Sequence, residues 1–241
     1  MPLHKSWQWV GAFGPDVMLC VAHARVGVMR RSWWAVWDGS RLREGTRGVT
    51  LSRERAQVKD GDVRIGLGFL HGAPIEVTTG PAWTRKTPLA VKGVVVLGDR
   101  SITVEAPGLL DESAGRHARR TAWRWSAGAG VTPAGVDVIW NLVDGLHDGT
   151  HLPRPGASSP LRSERTVWLG GEPHEVGPQP FDGLTRVGDL EFEALATRAK
   201  RENYLVLASD YEQPFGTFTG SLPVAGPLHG WGVMERHEAL W

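Results

Sequence analysis

Apolar and polar positions alternate along most of this chain. Val17, Leu19, Val21, His23 and Arg25 fall on one side of an extended backbone, and Met18, Cys20, Ala22, Ala24 and Val26 fall on the other. Successive strand side chains point to opposite faces, so a two-residue period sustained over this length predicts a strand with two distinct faces. The period returns in Trp33, Ala35 and Trp37 against Trp34 and Val36, followed by the hairpin-type dipeptide Asp38-Gly39. Asp60-Gly61 leads into Val63, Ile65, Leu67 and Phe69 on one face. Val91 to Leu97, and Ile102 with Val104, read as further strands around Gly98-Asp99.

The segment from Leu109 to Arg120 departs from this pattern. Leu109, Leu110, Ala114 and Ala118 fit one side of a short helix, with the Arg116–Arg120 cluster near its end, where positive charge suits the helix dipole. This break places a boundary between two halves, residues 1–115 and 116–241. Alternation then resumes. Trp123 and Trp125 share a face. Val136, Val138, Trp140 and Leu142 share another, opposite Asp137, Ile139 and Asn141. Thr166 to Leu169 precedes the turn Gly170-Gly171. Residues 190–208 read as two strands with Arg201-Glu202-Asn203 as the turn, and residues 144–163 as a long loop. The expected class is all-β, with few short helices.

Composition sharpens this picture. The 31 glycines lie between short apolar stretches and form no repeat, which suits many strands joined by turns. The balance of 27 Lys+Arg against 26 Asp+Glu argues against a nucleic-acid partner. A single cysteine, Cys20, excludes a disulfide framework and a multi-cysteine zinc site, and its apolar strand predicts a buried, inert thiol. Met1–Val10 lacks a basic region followed by an apolar run, and no apolar stretch approaches the ~20 residues of a membrane helix. A soluble, cytoplasmic protein is expected.

Several chemical signatures are missing. There is no phosphate loop, no dinucleotide fingerprint and no Gly-x-Ser-x-Gly nucleophile elbow. His147 and His151 carry groups that suit zinc or iron. Two histidines four apart converge only on a helix, however, and Gly149 in a Pro/Gly-rich stretch favours a loop, so no metal site is assigned. The 12 tryptophans have three readings: core packing, an aromatic-lined ligand cavity, or exposed rings that stack on sugars. In a catalytic pocket, an acid kept neutral by apolar surroundings can protonate an alkene or epoxide. Asp144, Glu164, Asp210 and Glu235 each stand beside aromatic or apolar residues. Ion pairing competes with that role, because Glu164 has Arg162 and Arg165 nearby and Glu235 has Arg236 and His237.

The most distinctive order lies in the second half. It comprises Trp123-Arg124-Trp125-Ser126-Ala127-Gly128, Trp140-Asn141-Leu142-Val143-Asp144-Gly145, Ser163-Glu164-Arg165-Thr166-Val167-Trp168, Tyr211 to Gly220, and Gly230 to His237. With Lys5-Ser6-Trp7, these segments resemble the bacterial domain-of-unknown-function 2804 family in its actinobacterial form. That form has an early Lys-x-Trp, a Trp/Asn core, a Ser-Glu-Arg segment, a Phe-Gly-x-Phe-x-Gly turn and a terminal Gly-x-x-Glu. The resemblance covers most of the chain and is thin between Arg41 and Arg120. Leu146-His147-Asp148 departs from it, since relatives carry Asn before that Asp, which counts against a role for His147.

The resemblance implies a fold of two consecutive lipocalin-like β-barrel halves with an apolar cavity. The family is similar to carotenoid hydratases, tocopherol cyclases, fungal cyclases of polyketide-type substrates and a ceramide-handling survival factor. The expected function is binding of a hydrophobic small molecule (terpenoid, polyketide or lipid-like), lined by Trp123, Trp125, Trp140, Trp168, Phe215, Phe218 and Trp231. The alternative is a hydratase, cyclase or isomerase without a cofactor. Glu235 or Asp210 would then be the acid, and Asn141 or Glu164 would orient the substrate. In Phe215 to Gly220, Phe215, Thr217 and Thr219 face one way. The glycines opposite them suit a bulge or the close approach of another backbone.

Overall fold

The computed structural model describes residues 4–146, 163–203 and 208–240, so His147, His151 and residues 204–207 lie outside it. The first sheet comprises β1 (His4–Phe13), β2 (Met18–Val26), β3 (Met29–Trp37), β4 (Leu42–Gly45), β5 (Val49–Leu51), β6 (Arg55–Asp60), β7 (Val63–His71), β8 (Ile75–Thr79), β9 (Ala82–Leu97) and β10 (Arg100–Arg116). The second comprises β11 (Arg120–Val131), β12 (Asp137–Asp144), β13 (Thr166–Leu169), β14 (Glu172–Glu175), β15 (Phe181–Asp182), β16 (Arg186–Val187), β17 (Asp189–Asn203), β18 (Ala208–Leu222) and β19 (Gly226–Leu240). The described residues contain no helix.

The spatial order is β4-β3-β2-β1-β10-β9-β7-β6-β5 in the first sheet, with β8 beside β9, and β14-β13-β12-β11-β19-β18-β17-β16-β15 in the second. Both sheets follow one plan. Four consecutive strands form a meander whose first member pairs with the last strand of its own sheet, β1 with β10 and β11 with β19. Each sheet curls into a half-barrel of lipocalin-like form. In the first, the Trp34 indole of β3 donates to Asp60 at the end of β6, 3.1 Å away, drawing the two flanks of the curl together. No sequence repeat announces this shared topology.

Two expectations are corrected. Leu109–Arg116 is not a helix but the end of β10, paired with both β1 and β9. The reason is that both sheet faces are covered. Leu110 enters the interior of the first curl while Leu109 enters the layer between the sheets, so two adjacent leucines are buried by alternation. Likewise, residues 201–203 are not the turn between the two expected strands but the end of the first of them, Asp189–Asn203. Arg201, Glu202 and Asn203 pair with Asp210, Ser209 and Ala208 instead of turning. The interruption is a bulge between Ala194 and Ala196, opposite Gly216 and Phe215. A Cβ on Gly216 would lie 2.0 Å from the Glu193 carbonyl oxygen, so this close approach of strands requires glycine.

Three apolar clusters result. One fills the first curl, with Val10, Leu19, Val21, Trp34, Leu67, Val91 and Leu110. Another fills the second, around Trp140, Leu142, Leu190, Phe192 and Phe218. The third lies between the sheets, where Trp9, Phe13, Met18, Cys20 and Trp37 meet Trp125, Val143, Trp168, Phe215 and Val233. Strand β2 serves two clusters at once, since Leu19 and Val21 face the first curl and Met18, Cys20 and Ala22 face the layer.

Candidate functional site

The layer between the sheets also holds most of the buried charge. In the first sheet, cross-strand register aligns Ile75, Lys86, Asp111, Trp9, Ala22 and Trp33 in one row. In the second, Arg198 pairs with Gln213, and Glu235 pairs with Trp125 and then Val143. Trp9 meets Trp125 edge to face at 5.0 Å, joining the two rows.

Glu235 occupies the centre of the second row. Its side-chain Oε1 accepts a hydrogen bond from the Trp123 indole at 2.8 Å, and Oε2 accepts one from the Gln213 amide at 2.7 Å. The residue is 7% exposed. Burial pushes its carboxyl up to about 7, against the pull of the Trp123 and Gln213 donors, and the Asp111 charge adds to the rise. Both oxygens are therefore bound by neutral donors. Such a group is present in acid and conjugate-base form at neutral pH, the range in which a proton donor works best.

One row further out lies an aromatic rim. Trp7 and Trp123 stand nearly parallel with ring centres 6.5 Å apart, and His237 packs on Trp123 at 4.3 Å and on Tyr211 at 5.3 Å. Trp7, Trp123 and His237 are half-buried. Burial lowers the His237 imidazole to about 4, with Asp210 opposing the shift, so the ring is neutral at physiological pH. The Ser209 hydroxyl bonds its Nε2 at 2.9 Å.

On the inner side, Lys86 forms ion pairs with Asp111 and, at 3.3 Å, with Glu164 of the other half. Burial alone would depress the Lys86 ammonium, but the Asp111 and Glu164 carboxylates outweigh it and hold it above its usual value. Arg198 crosses from the second sheet to Glu44 of β4, with Nε 2.8 Å from the carboxylate. Its guanidinium lies 5.4 Å from the Trp33 ring centre and 5.0 Å from that of Tyr211. Burial pushes the Cys20 thiol up to about 12, which agrees with an inert sulfur.

The residues singled out in the sequence distribute unevenly. Glu235, Trp123, Trp125, Trp168 and Phe215 meet in or beside the layer, and Trp231 packs against it partly buried. Asn141 is fully enclosed, accepting from Trp125 at 2.8 Å and donating to the Glu164 carbonyl at 2.8 Å. Glu164 is committed to Lys86. Trp140 and Phe218 lie elsewhere, in edge-to-face contact at 5.0 Å inside the second curl. Asp210 is at the surface in ion pairs with Arg201 and Arg236. Sequence reasoning missed Lys86, Asp111, Arg198, Tyr211 and Gln213. Their one available signal was a polar residue at an apolar-phase position of a strand.

Two concavities lie away from this layer. One, of about 670 Å³, opens on the first half among Arg53, Glu76, Trp83, Arg85 and Glu112. A shallower one of about 230 Å³ lies over Val58, Ile65 and Val94. Neither is lined by the aromatic residues named from the sequence. Among the described residues, no three His, Cys, Asp or Glu groups cluster as a metal site, and no helix is long and apolar enough to cross a membrane.

The chain matches no protein-family model, and no curated protein matches it in sequence. Its fold is nevertheless shared. It is similar to the structure of a protein described as an AttH from Nitrosomonas europaea, with 12% identity, a TM-score of 0.55 and coverage of 96% of this chain and 92% of that one. Kievitone hydratase from Nectria haematococca aligns at 11% identity and a TM-score of 0.49, covering 96% of this chain and 88% of the hydratase. CghA bound to Sch210972 aligns at 9% identity and a TM-score of 0.49, covering 99% and 89%. The first of these likenesses supports the fold, a pair of lipocalin-like half-barrels.

Proposed function

We propose that the layer between the half-barrels binds an apolar small molecule and that Glu235 delivers a proton to it. This makes the protein an acid catalyst of the hydratase, cyclase or isomerase type. The observation that supports this reading is Glu235 itself. It is a carboxyl enclosed by indole rings, held by two neutral donors, with an acidity near neutral pH and no ion pair among the described residues.

In this scheme protonated Glu235 transfers its proton to an alkene carbon or an epoxide oxygen of the bound molecule. The resulting cation faces the rings of Trp123, Trp125 and Trp9, which attract positive charge and exclude bulk water. The carboxylate left behind gains strength in its bonds from the Trp123 and Gln213 N–H groups, which already point at it. Water adding to the cation, or loss of a neighbouring proton, returns a proton to Glu235. No cofactor enters these steps.

Passive carriage of the same ligand is the second reading, favoured by the amount of indole surface in the layer. The test begins with native mass spectrometry and organic extraction of the purified protein, with tryptophan fluorescence against terpenoid, polyketide and fatty-acid panels. Bound scaffolds are then incubated with wild type and Glu235→Gln. Turnover lost with affinity retained supports catalysis. Binding without turnover in either protein leaves a carrier, and absence of any apolar ligand overturns the proposal.

A further inference from the structure

Among the described residues, the Trp9 and Trp33 indole N–H groups and the Tyr211 hydroxyl are buried without a hydrogen-bond partner, and the rings of the last two lie against the Arg198 guanidinium. Ala22 stands in register between Trp9 and Trp33, and Arg198 comes from the opposite sheet to lie over the Trp33 ring. Its Nε lies 2.8 Å from the Glu44 carboxylate, and its guanidinium lies 5.0 Å from the Tyr211 ring centre. Buried donors are normally satisfied, and a group of them left open around one cation marks a place for an oxygen atom.

We infer that Arg198, Tyr211 and Trp33 form the polar anchor of the ligand site and receive a carbonyl oxygen. The ligand class is then narrower than apolar: a largely hydrocarbon molecule carrying at least one ketone, ester or acid carbonyl. This rests on the reading of the layer as a ligand site. The register supplies the geometry. Arg198, Gln213 and the Glu235 position follow one another on three adjacent strands, so the anchor and the acid are two strand spacings apart, roughly 10 Å between backbones. Long side chains from both ends shorten that span, and one ligand can reach both. Gln213 stands between them. Its Nε2 binds Glu235, while its Oε1 has no donor among the described residues and stands ready for a ligand hydroxyl.

The test uses the whole protein and two matched pairs of probes, acetylnaphthalene against ethylnaphthalene and anthrone against dihydroanthracene. Affinities are followed by tryptophan fluorescence, and the Trp33 indole N–H is followed by NMR after assignment with Trp33→Phe. A site that hydrogen-bonds oxygen should favour each ketone over its hydrocarbon by ~10-fold or more, with the Trp33 N–H signal moving downfield for the ketones only. Arg198→Met should bring the ratio close to one, and Tyr211→Phe should reduce it while keeping the shape of the site. Should Arg198→Met fail to fold, Arg198→Lys keeps the charge and loses the planar fork, and part of the preference should still disappear. Equal binding of ketone and hydrocarbon by wild type, or a preference that survives these variants, overturns the anchor and leaves the apolar site standing. Binding of none of the four probes overturns both.

Discussion

The interiors of the two curls and the layer between them are equally buried, yet they are built by opposite rules. Inside the curls the cores consist of Val, Leu, Ile and aromatic residues, with Trp140 satisfied locally by Ser126 at 3.0 Å. Between the sheets, Lys86, Asp111, Glu164, Arg198, Gln213 and Glu235 are buried among tryptophans. An all-apolar interface of the same volume would often be no less stable, because paired buried charges seldom repay their desolvation. The polar groups of the layer thus call for a reason other than stability, and the proposed chemistry on a bound molecule would supply one.

The sharpest way to break this contrast is to remove one partner of the buried pair. Lys86→Met leaves Asp111 and Glu164 without their ammonium, and urea unfolding should show a loss of about 3–5 kcal/mol. Adding Asp111→Leu and Glu164→Gln to that variant should restore much of the loss. In the first curl, Leu110→Ala creates a cavity and should cost about 2–5 kcal/mol, with no recovery from any polar partner.

Glu235 adds a pH dependence. Its folded pKa of about 7 exceeds the ordinary 4.5, so the folded state holds a proton that the unfolded chain gives up. Stability from this group is fully present below pH 4.5 and is lost as pH rises through 7, amounting to about 3 kcal/mol. His237 acts in the other direction. Its pKa of about 4 lies below the ordinary 6.5, so its contribution is present above 6.5 and is lost as pH falls towards 4. Glu235→Gln should remove the alkaline loss and leave the acid one, as read from urea midpoints across pH 4–9. The amide introduced by this substitution can still accept from Trp123, and it can donate to Gln213 once the Gln213 amide turns over.

The smallest effect is expected at the surface. Asp210→Asn breaks the pairs with Arg201 and Arg236, both at least partly exposed, and should change stability by about 0–1 kcal/mol while leaving ligand binding intact.

How much of this was legible beforehand follows from the same contrast. Strands that alternate apolar with polar residues, or two apolar sets as in β2, stand out directly, and the bulge opposite Gly216 was signalled by its glycines. The Leu109-Leu110 pair misled because a residue doublet suits a helix until both sheet faces are known to be covered. Glu235 could be named as a candidate, since Gly232-Val233-Met234-Glu235 carried a motif. Its environment could not, because Trp123 and Gln213 come from 112 and 22 residues away. Lys86 and Asp111 read as ordinary charges, and only register places them opposite one another. Asp210, with the same chemistry as Glu235, falls on the other face of its strand from Tyr211 and Gln213, half-buried among Arg201 and Arg236.

The measurement that tests the central claim most directly is the titration of the Glu235 side-chain carboxyl by carbon-detected NMR, assigned by its disappearance in Glu235→Gln. The account predicts a midpoint close to 7. A midpoint near the ordinary glutamate value of 4.5 would show a solvated or ion-paired carboxylate, and the proton donor on which the proposed chemistry depends would be absent.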